Sequence, residues 1–147
     1  MKKKVLFGIL CMLLLVGCGD SMFPDLPNDA IAFESKEYLD KGRSNDCYFY
    51  EFEYNGRKYV EYGDFEGFFH KKDIDKCIGY IPQPDGSTNV RMYTLTEDKE
   101  CNFLLTYEVN SKELMTPSVL RAVDTMGKDI DIPKHVFPRE SYERIWK

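Results

Sequence analysis

The pair Asn55-Gly56 stands between Cys47-Tyr48-Phe49-Tyr50-Glu51-Phe52-Glu53-Tyr54 and Arg57-Lys58-Tyr59-Val60-Glu61-Tyr62, and it commits this part of the chain to a β-hairpin. Asn and Gly tolerate the two positive φ values of a type I′ turn, whose twist suits a two-residue connection. Closing the strands on that turn sets a register in which Tyr54 opposes Arg57, Glu53 opposes Lys58, Phe52 opposes Tyr59, Glu51 opposes Val60 and Phe49 opposes Tyr62. Glu53 with Lys58 reads as a salt bridge and two other pairs are aromatic, each worth a few tenths of a kcal/mol to about 1 kcal/mol. Residues 48–69 hold ten aromatics, half of the twenty that follow residue 17. If only one face of the hairpin is core, Tyr48, Tyr50, Tyr54, Tyr59 and Tyr62 supply a surface able to stack on sugars or anchor a protein partner. The commoner outcome is that both faces are covered in a small sandwich.

Further strands are expected at Lys76–Ile81, Val90–Thr96, Phe103–Val109 and Ser118–Thr125. Val90, Met92 and Thr94 alternate with Arg91, Tyr93 and Leu95 as a half-buried strand requires, and Pro82 to Asn89 is a loop by composition. Residues 30–41 have mixed periodicity and suit a short helix or an edge strand equally. Gly127 marks a turn before Ile130 and Ile132, and Pro138 is placed to start a short helix ending at Trp146. The expected fold is all-β or α+β, a mainly antiparallel sheet of about five to eight short strands, curled or sandwiched, with a short C-terminal helix.

The N-terminus reads as an address. Lys2, Lys3 and Lys4 precede a charge-free run of twelve residues from Val5 to Val16, too short for the roughly 20 apolar residues of a bilayer-spanning helix and of the length of a signal-peptide core. Leu15-Val16-Gly17-Cys18 resembles the lipobox of bacterial lipoproteins. That resemblance implies diacylglycerol on the Cys18 thiol, cleavage after Gly17, and an extracytoplasmic protein held on the bacterial cell membrane. At about 0.8 kcal/mol per buried methylene one acyl chain binds marginally and two hold firmly. Residues 1–17 are then a discarded signal. Residues 18–29, rich in Gly, Asp, Pro and Asn, form a lipidated cysteine with a flexible tether, and 30–147 make one domain. Without the three N-terminal lysines the chain carries 17 basic against 25 acidic groups, a formal −8, which disfavours nucleic acid as a partner. The stretches Cys77-Ile78-Gly79-Tyr80-Ile81, Arg91-Met92-Tyr93-Thr94-Leu95 and Asn102-Phe103-Leu104-Leu105 look like uncharacterised small extracytoplasmic proteins of Gram-positive bacteria, a resemblance that implies no activity.

Beyond Cys18 the body has Cys47, Cys77 and Cys101. Outside the cytoplasm one disulfide is open to them, and Cys77 with Cys101, which flank a strand pair, is the favoured choice. Closing a loop of about 25 residues would contribute roughly 3 kcal/mol; the alternative is three buried thiols acting as small hydrophobes. No metal site is expected, because there is no Cys-x-x-Cys pair and the two histidines, His70 and His135, lie far apart. Nor does any local signature favour catalysis: Gly-x-Ser-x-Gly, Gly-x-x-x-x-Gly-Lys and His-Glu-x-x-His are missing. Asp129 and Asp131 occupy alternate positions and would share a face on a strand, where paired carboxylates do acid/base work or bind a cation. The function expected is a non-catalytic, lipid-anchored binding module for an envelope protein, peptide or glycan, of inhibitor or immunity type, without a cofactor beyond the covalent lipid. The alternative is a small envelope enzyme with a Cys/His or carboxylate site.

Overall fold

The computed structural model describes residues 23–38, 49–67, 69–111 and 116–146; the signal segment, Cys18, Cys47 and Tyr48 lie outside them. Nine strands form one sheet: β1 (Ile31–Ala32), β2 (Lys36–Tyr38), β3 (Phe49–Tyr54), β4 (Arg57–Phe65), β5 (Ile74–Tyr80), β6 (Val90–Leu95), β7 (Phe103–Glu108), β8 (Ser118–Ala122) and β9 (Val136–Pro138). The order is β1-β5-β6-β7-β8-β4-β3-β2, with β9 added to β4. The expected hairpin is present in its expected register from Glu51–Val60 to Tyr54–Arg57, turning on Asn55 (φ 51°) and Gly56 (φ 72°). Replacing both turn residues by valine puts β-branched side chains at positive φ, a cost of about 1–2 kcal/mol at each position. A clear drop in melting temperature is the expected result, and an unchanged one would refute the assigned role of the turn.

The path of the sheet closes on itself. Every pairing is antiparallel except β1 with β5. Alternating directions from β5 around to β2 leave β2 pointing the same way as β5, and therefore the same way as β1. The two are halves of one strand, interrupted at residues 33–35, whose first half lies on β5 and whose second half lies on β3. A ring of seven strands, being odd, requires one parallel contact, and β1–β5 is that contact. Phe33 sits in the interruption at 2% exposure. Its amide donates to the Tyr80 carbonyl (2.8 Å) and its ring lies 6.3 Å from Tyr54 on the other side of the break. Mixed periodicity at 30–41 has its physical reason here, since the segment changes partner midway.

Both faces of the sheet are buried. Phe33, Tyr59, Met92, Leu104 and Leu120 fill the inside of the curl. Tyr62, Tyr93, Phe103, Leu105 and Val119 form the outer layer, covered by other parts of the chain. One cover is the segment expected to be a tether. Phe23 is buried, stacked on Tyr107 (4.6 Å between centroids) and near Phe69 (5.5 Å) and Tyr93 (6.0 Å). Arg91 Nη1 donates to the Pro24 carbonyl (3.2 Å), and Leu26 packs on the same layer. Residues 23–29 thus belong to the body. Burying a Phe side chain contributes roughly 1.5–3 kcal/mol, enough to offset the ordering of one or two residues at about 1–2 kcal/mol each.

The other cover is the C-terminal stretch, where the expected helix starting at Pro138 is not what forms. Pro138 ends β9; a 3₁₀ turn at Glu140–Tyr142 then runs into a single α-turn at Glu143–Trp146. This stretch docks on a bulge in β4 between Glu61 and Gly63. A bulge leaves carbonyls outside the ladder, and here the Trp146 indole donates to Glu61 O (2.8 Å) and the Arg139 amide to Tyr62 O (3.0 Å). Past the bulge Phe49 and Tyr62, expected as a cross-strand pair, have separate partners. Phe49 meets Tyr142 edge-on (5.7 Å), and Tyr62 meets Phe103 (5.5 Å) and Trp146 (5.6 Å). Lys58 forms its ion pair with Glu51 (3.0 Å) rather than with Glu53 directly opposite, the diagonal neighbour being within reach of a long side chain.

Candidate functional site

Arg57, the first residue after the hairpin turn, organises one end of the barrel. Its guanidinium bonds Asp124 through Nε (3.0 Å) and Nη2 (2.7 Å). It also donates to the carbonyls of Glu100 and Cys101 (2.9 Å each) and to Asn102 Oδ1 (3.0 Å). Five acceptors on one planar fork tie the loop before β7 to the 3₁₀ turn Val123–Thr125 that follows β8. The bond to Arg57 holds the Asp124 carboxyl below its ordinary value; because both groups are partly open to water, the pair adds little stability. The Cys101 carbonyl takes a second donor, the Tyr59 hydroxyl (2.7 Å), while Cys101 itself stands at φ 54°. Asp98 accepts the Phe103 amide (2.6 Å). Burial still pushes its carboxyl up, against the bonds from the Asn102 and Phe103 amides.

Beside this hub opens a cleft of about 460 Å³ lined by Glu97, Asp98, Lys99, Glu100, Asn102, Asp129, Ile130 and Asp131. Five carboxylates face one lysine there. Asp129 and Asp131 do not lie on a strand as expected, but in an irregular exposed segment, and they share the cleft rather than a sheet face. The cleft joins two short acidic runs about 30 positions apart. Glu97-Asp98-Lys99-Glu100 was visible as a charge run, but only the fold sets it against Asp129 and Asp131. Among the described residues no group of three or more His, Cys, Asp or Glu side chains is arranged to hold a metal ion. A smaller opening of about 190 Å³ lies at the interruption between β1 and β2, bordered by Ile31, Phe33, Lys36, Glu51 and Glu53.

The expected tyrosine surface is not formed by the described residues. Tyr54, Tyr59 and Tyr62 are buried, and Tyr50 alone of the five is found at the surface, 49% exposed; Tyr48 lies outside the described residues. Both hairpin faces are covered, one by the barrel interior and the other by the C-terminal turn. The Cys77–Cys101 disulfide is not made: both are free thiols. Cys77 belongs to the outer layer and donates to Gly79 O (3.6 Å), whereas Cys101 packs against the inner cluster with its sulfur 3.7 Å from the Tyr59 hydroxyl. Burial pushes both thiols up. His135 is stacked near Phe65 (5.4 Å between centroids), and exposed His70 lies 3.7 Å from the Asp73 carboxylate. No known protein family, curated protein or solved structure matches the chain.

Proposed function

We propose that this chain is a lipid-anchored envelope protein, attached through diacylglycerol on Cys18, and that its body is a non-catalytic binding module. The observation that carries the binding role is the acid-lined cleft held open by Arg57. Loop carbonyls and side chains fixed by a single guanidinium give a preorganised surface, which lowers the ordering cost of association. Its excess of carboxylates selects a basic peptide or protein surface over an acidic one. The alternative of a Cys/His enzyme has less support, since burial favours the neutral form of both thiols and the thiolate is the nucleophile.

Washed membranes bearing the full-length protein should bind a labelled oligolysine peptide saturably, in a salt-sensitive manner. Glu97→Lys combined with Asp131→Lys is expected to weaken binding roughly tenfold or more, about 1.4 kcal/mol, while Tyr50→Ala leaves it unchanged. Equal binding by membranes carrying the charge-reversed protein would sink the cleft as the binding surface. Cys18→Ala should release the protein or leave it unprocessed; unchanged retention after detergent-free washing would remove the anchor.

A further inference from the structure

We infer that the end of the barrel where the Phe23 cluster sits faces the bilayer, and that the hairpin tip and the acidic cleft point away from it; this rests on the lipid-anchor reading above. The first support is the length of chain left over. Because Phe23 is locked among Tyr107, Phe69 and Tyr93, only Gly19 to Met22 separate the body from Cys18. Five Cα steps span at most about 18 Å however the segment is arranged, so the surface around Phe23 cannot leave the headgroup region.

The second support is where the rest of the molecule lies relative to Phe23. β4 runs nine residues from Arg57 to Phe65, about 25–30 Å allowing for its bulge. Its Phe65 end joins the Phe23 cluster through Phe69, 5.0 Å from Phe65 and 5.5 Å from Phe23. Its Arg57 end carries the Asn55–Gly56 turn and, through the Arg57 bonds to Glu100, Cys101 and Asn102, the acidic cleft. The long axis of the barrel therefore separates the tethered end from the most acidic one.

The third is charge. Tether length alone would allow the barrel to lie flat. Five carboxylates against one lysine in the cleft are repelled by anionic headgroups within a Debye length, about 8–10 Å at physiological salt. Standing on the Phe23 end removes them from that field and leaves the cleft open to a partner approaching from outside.

The test uses the lipidated full chain, isotopically labelled and inserted in nanodiscs containing anionic lipid and a small fraction of gadolinium-chelating lipid. Amide signals of Asp25, Leu26, His70 and Tyr107 are expected to broaden several-fold more than those of Asn55, Gly56, Lys99 and Glu100. Inserting about twenty Gly/Ser residues between Met22 and Phe23, a coil of roughly 25 Å mean span, should flatten that gradient while the protein stays on the disc. Uniform or reversed broadening in a protein whose N-terminal mass shows the diacylated cysteine overturns the orientation and leaves the anchor standing. A chain that carries no lipid and elutes apart from the discs overturns both.

Discussion

Gly63→Val is expected to lower stability by about 3 kcal/mol or more and to strip β9 and the C-terminal turn from the barrel. Gly63 sits just past the β4 bulge, paired with Val119 of β8 on one side and Pro138 of β9 on the other. A Cβ there would overlap the Phe137 carbonyl and come within 2.8 Å of Phe137 C and 2.9 Å of Pro138 Cα, all backbone that no rotamer change can move. Overpacking commonly costs 1–3 kcal/mol, and more where the neighbour is main chain. Relief requires β9 to leave β4, breaking the Asp64–Arg139 pair and unseating Trp146 from Glu61 O. Chemical denaturation followed by the emission of Trp146, the single tryptophan of the chain, reads both effects. A variant with wild-type midpoint and unshifted emission would refute the assigned packing.

Arg121→Ala is expected to be of similar size, about 3 kcal/mol. Arg121 is 7% exposed, and its guanidinium lies over three rings, those of Trp146 (5.0 Å), Tyr62 (5.3 Å) and Phe103 (6.0 Å). Its fork donates to Thr125 Oγ1 (2.8 Å), Thr125 O (2.9 Å) and Lys128 O (3.3 Å). A desolvated cation over an aromatic face contributes about 2 kcal/mol and bonds from a charged donor about 1.5–3 kcal/mol, partly offset by the burial of the charge. Truncation leaves a void among rings and orphans the carbonyls of the turn after β8. Arg121→Lys should rescue less than half of the loss, because an ammonium cannot stack flat and fork at once. Full rescue by lysine would mean that charge alone matters. Loss of the neighbouring cation should also shift Trp146 emission, tying the measured loss to this contact.

What was legible in the sequence was local. Asn55-Gly56 specified the turn and the four-pair ladder beside it, and alternation located β5 to β8 to within two or three residues. Features depending on distant partners were not. Pro, Asp and Gly at 19–29 read as a tether, yet Phe23 and Leu26 find a layer built from β6, β7 and the segment after β4. β9 is three residues long, and its pairing depends on a bulge that no composition announces. The cysteines looked adjacent because a strand pair lies between them, but one faces the outer layer and the other packs on the inner cluster. Of the cleft, the acidic pair Asp129 and Asp131 was visible, whereas Arg57 and its five acceptors were not, since nothing near residue 57 hints at residues 100–124.

The docking of Trp146 on Glu61 spans 85 positions of chain, and this has a kinetic consequence. A ribosome releases the hairpin long before it releases the residues that occupy the bulge carbonyls, so the nascent barrel has every strand through β8 but no closing contact for β4. Contacts of such long separation slow folding, because loop closure precedes the interactions that reward it. The emerging chain is thereby kept unfolded until synthesis is nearly finished, which is the state a polypeptide needs in order to be threaded through a membrane before it folds.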